Sequence, residues 1–390
     1  RELERELQVA PASEHAAIRQ AISLIDSGRM AQRARAIKKY TVVGATCAAT
    51  GLACMAGLRF QIVLLDECSQ LTEPASLVPL AKLDCERLLA VGDPMQLPPT
   101  LHAPPSPSRT TAAAGSPAFD LRLTLFERLA RCGTPPVVLR AQYRCHPAIS
   151  ALASRLFYRS SLVDGLGVEA SSKRAPLVPG LPTVGFAHVS GSERHERGSI
   201  SNAAEASRVS RIVGSLLATG LQPHQLGVIC LYRAQTGLCR TALAAEGHEG
   251  VVVSTVDAFQ GAERDVIIVS SCRTSTGGQL AFIANPQRLN VTITRARFHL
   301  LLVGHAATLL ALPVWAEVLN EAAAIPAHLA TGRSATDGLE AVVGEAHDQE
   351  PENEQREPER GAMVEAMVAE GRAVDERALQ ERAVEERAVE

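Results

Sequence analysis

Ile62-Val63-Leu64-Leu65-Asp66-Glu67 is the stretch from which the rest of the chain can be read. Four apolar residues in a row suit a strand covered on both faces, as in a parallel sheet. Asp66 and Glu67 then fall at the C-terminal end of that strand, the edge where open α/β sheets bind ligands. At such an edge an Asp can hold Mg²⁺, usually through waters, and a Glu can orient or deprotonate an attacking water. Taken alone, the run reads equally as a strand-end turn. The next strand is more specific: Leu88-Leu89-Ala90-Val91 leads into Gly92-Asp93-Pro94-Met95-Gln96-Leu97-Pro98-Pro99. Gln96 can donate to a γ-phosphate or hold the catalytic water while its loop faces nucleic acid, and so report hydrolysis to a bound strand.

Outward from this pair, short apolar runs recur at Val137–Leu139, Val228–Leu231, Val251–Val253, Val266–Val269 and Leu300–Val303, with strand signal also at Thr41-Val42-Val43. Helical stretches such as Glu205–Leu217 lie between several of them. The alternation predicts a parallel α/β architecture. His102–Pro117 and Ser171–Pro182 read as loops or insertions. The boundaries that follow are a helical lead segment over 1–40, a first domain over 41–147, a second over 148–325 and a low-complexity acidic tail over 326–390. Arg-Ala-Val/Leu recurs every five residues from Arg372, a period that keeps no helical face apolar, so the tail is expected to be solvated or disordered.

Apolar residues make up 46% of the 390 and aromatics 3%, so the core must be built from Leu, Val, Ile and Ala. The net charge of -3 hides a mildly basic body and an acidic end, which permits a polyanion partner without proving one. The nine cysteines show no C-x2-4-C spacing, so no zinc site is visible and free thiols are expected. There is no charged-then-apolar leader and no run of 18 apolar residues; the chain is expected to be soluble and intracellular, with no membrane partner. It opens on Arg1, and the expectation is a piece of a longer protein.

Leu139-Arg140-Ala141-Gln142-Tyr143-Arg144-Cys145-His146-Pro147 adds a flat ring, Tyr143, for a base and a guanidinium fork, Arg144, for phosphate oxygens. His146, just before a proline, reads as a structural hydrogen bonder. Later blocks run in order: Asn202-Ala203-Ala204-Glu205-Ala206, Gly227–Gln235 with Leu231-Tyr232, Val253–Glu263 with Gln260-Gly261-Ala262-Glu263, and Arg288–Arg297 ending Thr294-Arg295-Ala296-Arg297.

In this set and order the chain resembles the superfamily 1B, Upf1-like (DNA2/NAM7-type) helicases over roughly Tyr40–Val303. Val42–Ala49, Asp66-Glu67-Cys68-Ser69-Gln70, Tyr143–Pro147 and Leu231-Tyr232 are most similar to the GRF zinc-finger 5′-to-3′ DNA helicase branch. The resemblance implies two RecA-like parallel-sheet domains, the first incomplete, and ATP-driven 5′-to-3′ movement on single-stranded or forked DNA, with RNA as the alternative track. It also implies nuclear work in recombination or cross-link repair beside repair proteins, with ATP and Mg²⁺ as cofactors. By position, Asp66 holds the metal, and Glu67, Gln96, Arg144 and Arg295 carry catalysis, Arg295 as an arginine finger. Tyr143, Gly261 and Glu263 face the nucleotide, Glu263 at its ribose. Thr46, Tyr232 and Thr255 grip nucleic acid.

One departure matters. A phosphate-binding loop needs Gly-x4-Gly-Lys-Ser/Thr. None of Lys38, Lys39, Lys82 and Lys173 follows a glycine or precedes Ser or Thr. The loop is expected upstream of Arg1. Two readings therefore stay open: a motor enzyme completed by upstream sequence, and a non-catalytic RecA-like module that holds nucleic acid or a partner. A nuclease has little support, because no additional acidic cluster accompanies these motifs.

Overall fold

Helix α1 (His15–Ile37) comes first and packs on a short helical turn, Ala53–Met55. Strand β1 (Ile62–Leu65), helix α2 (Glu73–Lys82) and strand β2 (Arg87–Ala90) form a crossover in which β1 and β2 pair in parallel, Ile62 opposite Arg87. Helix α3 (Leu125–Arg131) follows, opened by a capping box between Thr124 and Glu127. A two-residue strand β3 (Ala141–Gln142) pairs with β4 (Val163–Asp164) across helix α4 (Pro147–Phe157). A computed structural model supplies these elements and describes residues 15–101, 120–165, 175–196, 198–275 and 280–326, all within the contact unit Arg1–Ala335.

The larger sheet follows. Its strands are β5 (Val184–His188), β8 (Leu226–Cys230), β9 (Val252–Thr255), β10 (Arg264–Ser270), β11 (Ala296–Gly304) and β12 (Ala323–Ala324). A small antiparallel hairpin, β6 (Arg194–Glu196) and β7 (Ser199–Ser201), interrupts the series. Helices α5 (Ala203–Ala218), α6 (Arg233–Ala245), α7 (Val256–Phe259), α8 (Pro286–Ile293), α9 (Ala306–Leu310) and α10 (Pro313–Asn320) connect and cover it. The strand order is β12-β5-β11-β10-β8-β9 and every pairing is parallel.

Period-two alternation divides the strands between two cores. Ile229, Ile267, Val269, Leu300 and Leu302 point to one side, against Ile149, Phe259, Ile293 and Trp315. Val228, Cys230, Val266, Ile268, Leu301 and Val303 point to the other, against Val209, Ile212, Val213, Leu216 and Leu243. This is the doubly covered parallel sheet that the apolar runs predict.

The first lobe departs from that pattern. Val63 and Leu65 are buried against Leu58, Leu83 and Leu125, but Ile62, Leu64 and Leu89 are 58%, 57% and 52% exposed. Among the described residues nothing covers their face of the small sheet. Neither Thr41–Val43 nor Val137–Leu139 is a strand, contrary to the sequence signal. A strand needs a ladder partner, and among the described residues neither run has one; Val42 is 86% and Val137 91% exposed. The local pairing falls instead on Ala141–Gln142. Arg1–Glu14, the His102–Pro117 insertion and the acidic tail lie outside the described residues, as does part of Ser171–Pro182. Among the described residues no helix is long and apolar enough to cross a membrane, and all nine cysteines are free.

Trp315, the single tryptophan, is 1% exposed and donates from Nε1 to Ile283 O at 2.8 Å, so its fluorescence reports on the larger core. Ile268→Ala removes a fully buried side chain on the opposite face of β10. It should lower unfolding free energy by about 2–5 kcal/mol, read as an earlier urea midpoint in Trp315 emission. A loss under about 1 kcal/mol would mean that this strand is not packed on both sides.

Candidate nucleotide cleft and nucleic-acid pocket

The ladder of β1 and β2 continues past the strands. Val91 N donates to Leu65 O at 2.8 Å and Cys68 N to Val91 O at 2.9 Å, so the two exit loops are laced together. Gly92 makes this approach possible: a Cβ there would lie 2.7 Å from Ser69 N. Asp93 N then donates to Ser69 Oγ at 3.0 Å. Asp66 and Glu67 are exposed at this edge, as the sequence predicts. Asp66 Oδ1 accepts from Glu67 N at 3.0 Å, and Glu67 Oε2 from Gln70 Nε2 at 2.6 Å. Glu67 sits at φ +51°, a left-handed conformation that a side chain adopts at a cost and that clusters at functional positions. Gln96 lies beside them, its Nε2 donating to Asp93 Oδ2 at 2.9 Å.

The second lobe answers with an arginine cluster at the N-terminal ends of β10 and β11. Gly261, at φ +78°, turns the chain so that Glu263 precedes β10. Glu263 Oε1 accepts from Arg297 Nη2 at 2.6 Å and Nε at 2.9 Å, while Oε2 pairs with Arg144 Nε. Burial pushes the Glu263 carboxyl up, but the hydrogen bonds and charges of Arg297 and Arg144 outweigh it and hold it below the usual range. Arg144 Nη1 also reaches Thr294 O at 3.5 Å. Arg295 is 2% exposed; its Nε donates to Val291 O at 3.0 Å and its Nη2 to Thr294 Oγ1 at 3.2 Å. Burial and then the like charge of Arg144 lower its pKa, while Glu67 and Glu263 pull the other way. Glu67, Arg144, Glu263 and Arg295 thus share one electrostatic neighbourhood spanning both lobes. His146 is structural: its N donates to Arg297 O at 2.7 Å and its ring caps α4.

Other sequence-picked residues are placed differently from the roles the sequence suggests. Tyr143 is 66% exposed, its ring so close to Gly165 that a Cβ there would collide with it. Glu263, assigned to a ribose, has both carboxylate oxygens engaged by arginines. Thr46 is exposed and accepts from Ala49 N at 3.2 Å. Tyr232 and Thr255 come together at the opposite edge of the larger sheet, lining an open pocket of 990 Å³ with Arg233, Asp257, Arg273, Glu193 and Phe282. The Tyr232 and Phe282 rings lie 5.0 Å apart at 31°, and the Arg288 guanidinium sits 3.9 Å over Phe282.

Sequence reading assigned no role to Glu193, Arg273 and Phe282. Arg273 is 3% exposed, donates to Glu193 Oε2 at 3.0 Å and stands beside the Tyr232 hydroxyl. Its place just past β10 is the signal that was available, since strand C-termini carry ligand groups. Glu205 lies under this edge, fully buried. Its Oε2 accepts from Ser270 Oγ at 2.6 Å and Cys272 N at 2.9 Å, holding the turn that leads to Arg273. Burial raises its carboxyl to about 7, against the pull of those donors.

Against known proteins, two family models described as AAA domain match residues 2–104 and 121–307. The 5'-3' DNA helicase ZGRF1 of Mus musculus is 45% identical over 293 residues, covering 73% of this chain and 15% of that protein. Regulator of nonsense transcripts 1 of Caenorhabditis elegans is 36% identical, covering 72% of this chain and 26% of that protein. The chain belongs to the Upf1-like superfamily 1 helicases. It spans about a quarter or less of these two Upf1-like relatives. Among solved structures, the PRRSV helicase covers 65% of the chain and 36% of its own, with 19% identity and a TM-score of 0.33.

Glu205 supplies a pH test of this Upf1-like edge. Its folded pKa, about 7, lies above the ordinary 4.5, so proton binding favours the fold. That contribution is complete below pH 4.5 and is lost as pH rises through 7. The unfolding free energy of the parent chain should therefore fall relative to Glu205→Gln between pH 5 and pH 8. Parallel urea-stability profiles for the two proteins would refute the buried acid.

Proposed function

We propose that this chain is the motor core of an ATP-driven helicase that moves 5′ to 3′ on single-stranded or forked DNA. The observation that carries the reading is the joining of Arg144 to Glu263 and to Thr294 O, next to Arg295, with the Glu67 charge of the first lobe acting on the same arginine. A carboxylate that activates water and a guanidinium that stabilises the transferred phosphoryl group must face one nucleotide. Asp66 fits Mg²⁺: it is an exposed, hard oxygen donor that, among the described residues, accepts one hydrogen bond, from Glu67 N. Among the described residues no cluster of three His, Cys, Asp or Glu competes for a cation, so such a metal would keep several waters and use the nucleotide's phosphates. The metal would neutralise charge on those phosphates. Glu67 orients the attacking water, Gln96 senses the phosphate, and Arg295 and Arg144 supply positive charge.

The pocket at the opposite edge is the nucleic-acid half of the proposal. Thr255 and Ser199 offer hydroxyls, Arg233 an exposed guanidinium, and Tyr232 an aromatic surface. Likeness to the mouse DNA helicase favours DNA, and likeness to the worm regulator of nonsense transcripts keeps RNA as the alternative. A nuclear location and repair or recombination work beside repair proteins complete the proposal. A second reading, a binding module without turnover, is favoured by one fact: none of the four lysines lies in a Gly-Lys-Ser/Thr context.

The 390-residue chain alone should hydrolyse ATP barely above background. Nucleic-acid-stimulated turnover abolished by Glu67→Gln would overturn that expectation. In a full-length protein carrying Gly-x4-Gly-Lys-Thr, Arg295→Ala should keep nucleotide binding and lower kcat by roughly 10³-fold or more. Lost binding with unchanged chemistry counts against the finger. Strand displacement on matched DNA and RNA forks separates the two tracks.

A further inference from the structure

The Gln96 loop does not only face a cleft; it is tied to the second lobe. Asp93 Oδ2 accepts two hydrogen bonds, from Gln96 Nε2 at 2.9 Å and from the Tyr158 hydroxyl at 2.6 Å. Tyr158 follows α4 and in turn accepts from Asn290 Nδ2 at 2.8 Å. Asn290 lies in α8, and the same amide nitrogen donates to Met95 O at 2.8 Å. Gln287, one turn earlier in α8, donates to Pro94 O at 2.9 Å. Five residues after Asn290 the chain reaches Arg295. On the other side, Asp93 N is held by Ser69, two residues past Glu67. One continuous set of hydrogen bonds therefore runs from the carboxylate loop through Asp93, Tyr158 and Asn290 to α8, the helix that leads into Arg295.

The chemistry of the link gives it a direction. Burial and the Asp93 charge push the Tyr158 hydroxyl up, so it stays a donor. Asp93 is its acceptor, shared with Gln96. A Gln96 that swings toward a phosphate weakens its bond to Asp93 and leaves Asp93 Oδ2 more fully to Tyr158. Asn290 is fully buried and, among the described residues, its Oδ1 has no hydrogen-bond partner, so the arrangement holds one unused acceptor at its centre. An unpaired buried acceptor carries a desolvation penalty and marks a place where the bonding can change.

We propose that Tyr158 is a positioning residue that couples the Gln96 loop to α8, so that the state of Gln96 is passed to Arg295 through Asp93 and Asn290. The proposal rests on the motor reading for its consequence in turnover, but not for its geometry. Two arms test it. In the 390-residue chain, hydrogen exchange at Met95 and Gln96 should run roughly three- to tenfold faster in Tyr158→Phe, the effect of losing one hydrogen bond. Exchange in β10 should stay unchanged, and Tyr158→Phe/Asn290→Ala should add little to either single variant. Unchanged loop exchange, or fully additive effects, would overturn the link. In the full-length protein, Tyr158→Phe should lower nucleic-acid-stimulated kcat several-fold with KM for ATP unaltered. An unaltered kcat overturns the coupling to turnover. If every variant and the parent lack ATPase activity, the motor reading fails, while loop exchange still decides the link.

Discussion

Burial of β10 on both faces and both edges is the constraint on which the larger lobe is built. Flanked by β8 and β11, with Ile267 and Val269 in one core and Val266 and Ile268 in the other, it leaves no room for an unpaired polar group between Val266 and Val269. Polar chemistry can appear only where the strands enter and leave. The entering ends carry Glu263, Arg295 and Arg297; the leaving ends carry Tyr232, Arg273 and Thr255. Two functional surfaces on opposite edges follow from how this sheet is covered.

The two surfaces differ in how their charges are held. At the entering edge, Glu263 is shared by two arginines, on the side of the sheet that feels the Glu67 charge of the first lobe. At the leaving edge, Glu193 is tied to nearly buried Arg273, and Glu205 beneath fastens the turn between β10 and Arg273. The first sets partly exposed Arg144, Glu263 and Arg297 beside a buried Arg295. The second is a fixed frame under an open pocket.

Much of this was legible. Val228–Leu231, Val266–Val269 and Leu300–Val303 read as doubly buried strands because every residue in them is apolar, and all lie on or overlap strands. The cluster of Glu67, Arg144, Glu263 and Arg295 was legible from motif order. Val137–Leu139 was misread because propensity cannot reveal a missing ladder partner. Ile62 and Leu64 were expected inside for the same reason: apolar residues name a face, not what covers it. Arg273 with Glu193, and Tyr158 with Asp93, escaped because each pair is joined across 80 and 65 positions, and single residues of common type carry no spacing signal. Glu205 stood inside a quoted block, yet nothing in sequence marks a glutamate as wholly dry.

Arg295 is seated with its guanidinium turned back on its own helix, against Val291 O and Thr294 Oγ1. To meet anything outside that seat it must surrender both bonds and leave Val291 O with the longer bond from Thr294 Oγ1 at 3.4 Å, a cost of about 1–3 kcal/mol. Its outward pose is therefore a sparsely occupied conformer at rest. On the proposed motor reading, an arriving polyanion would supply the missing compensation, which would make the seat a threshold against idle firing.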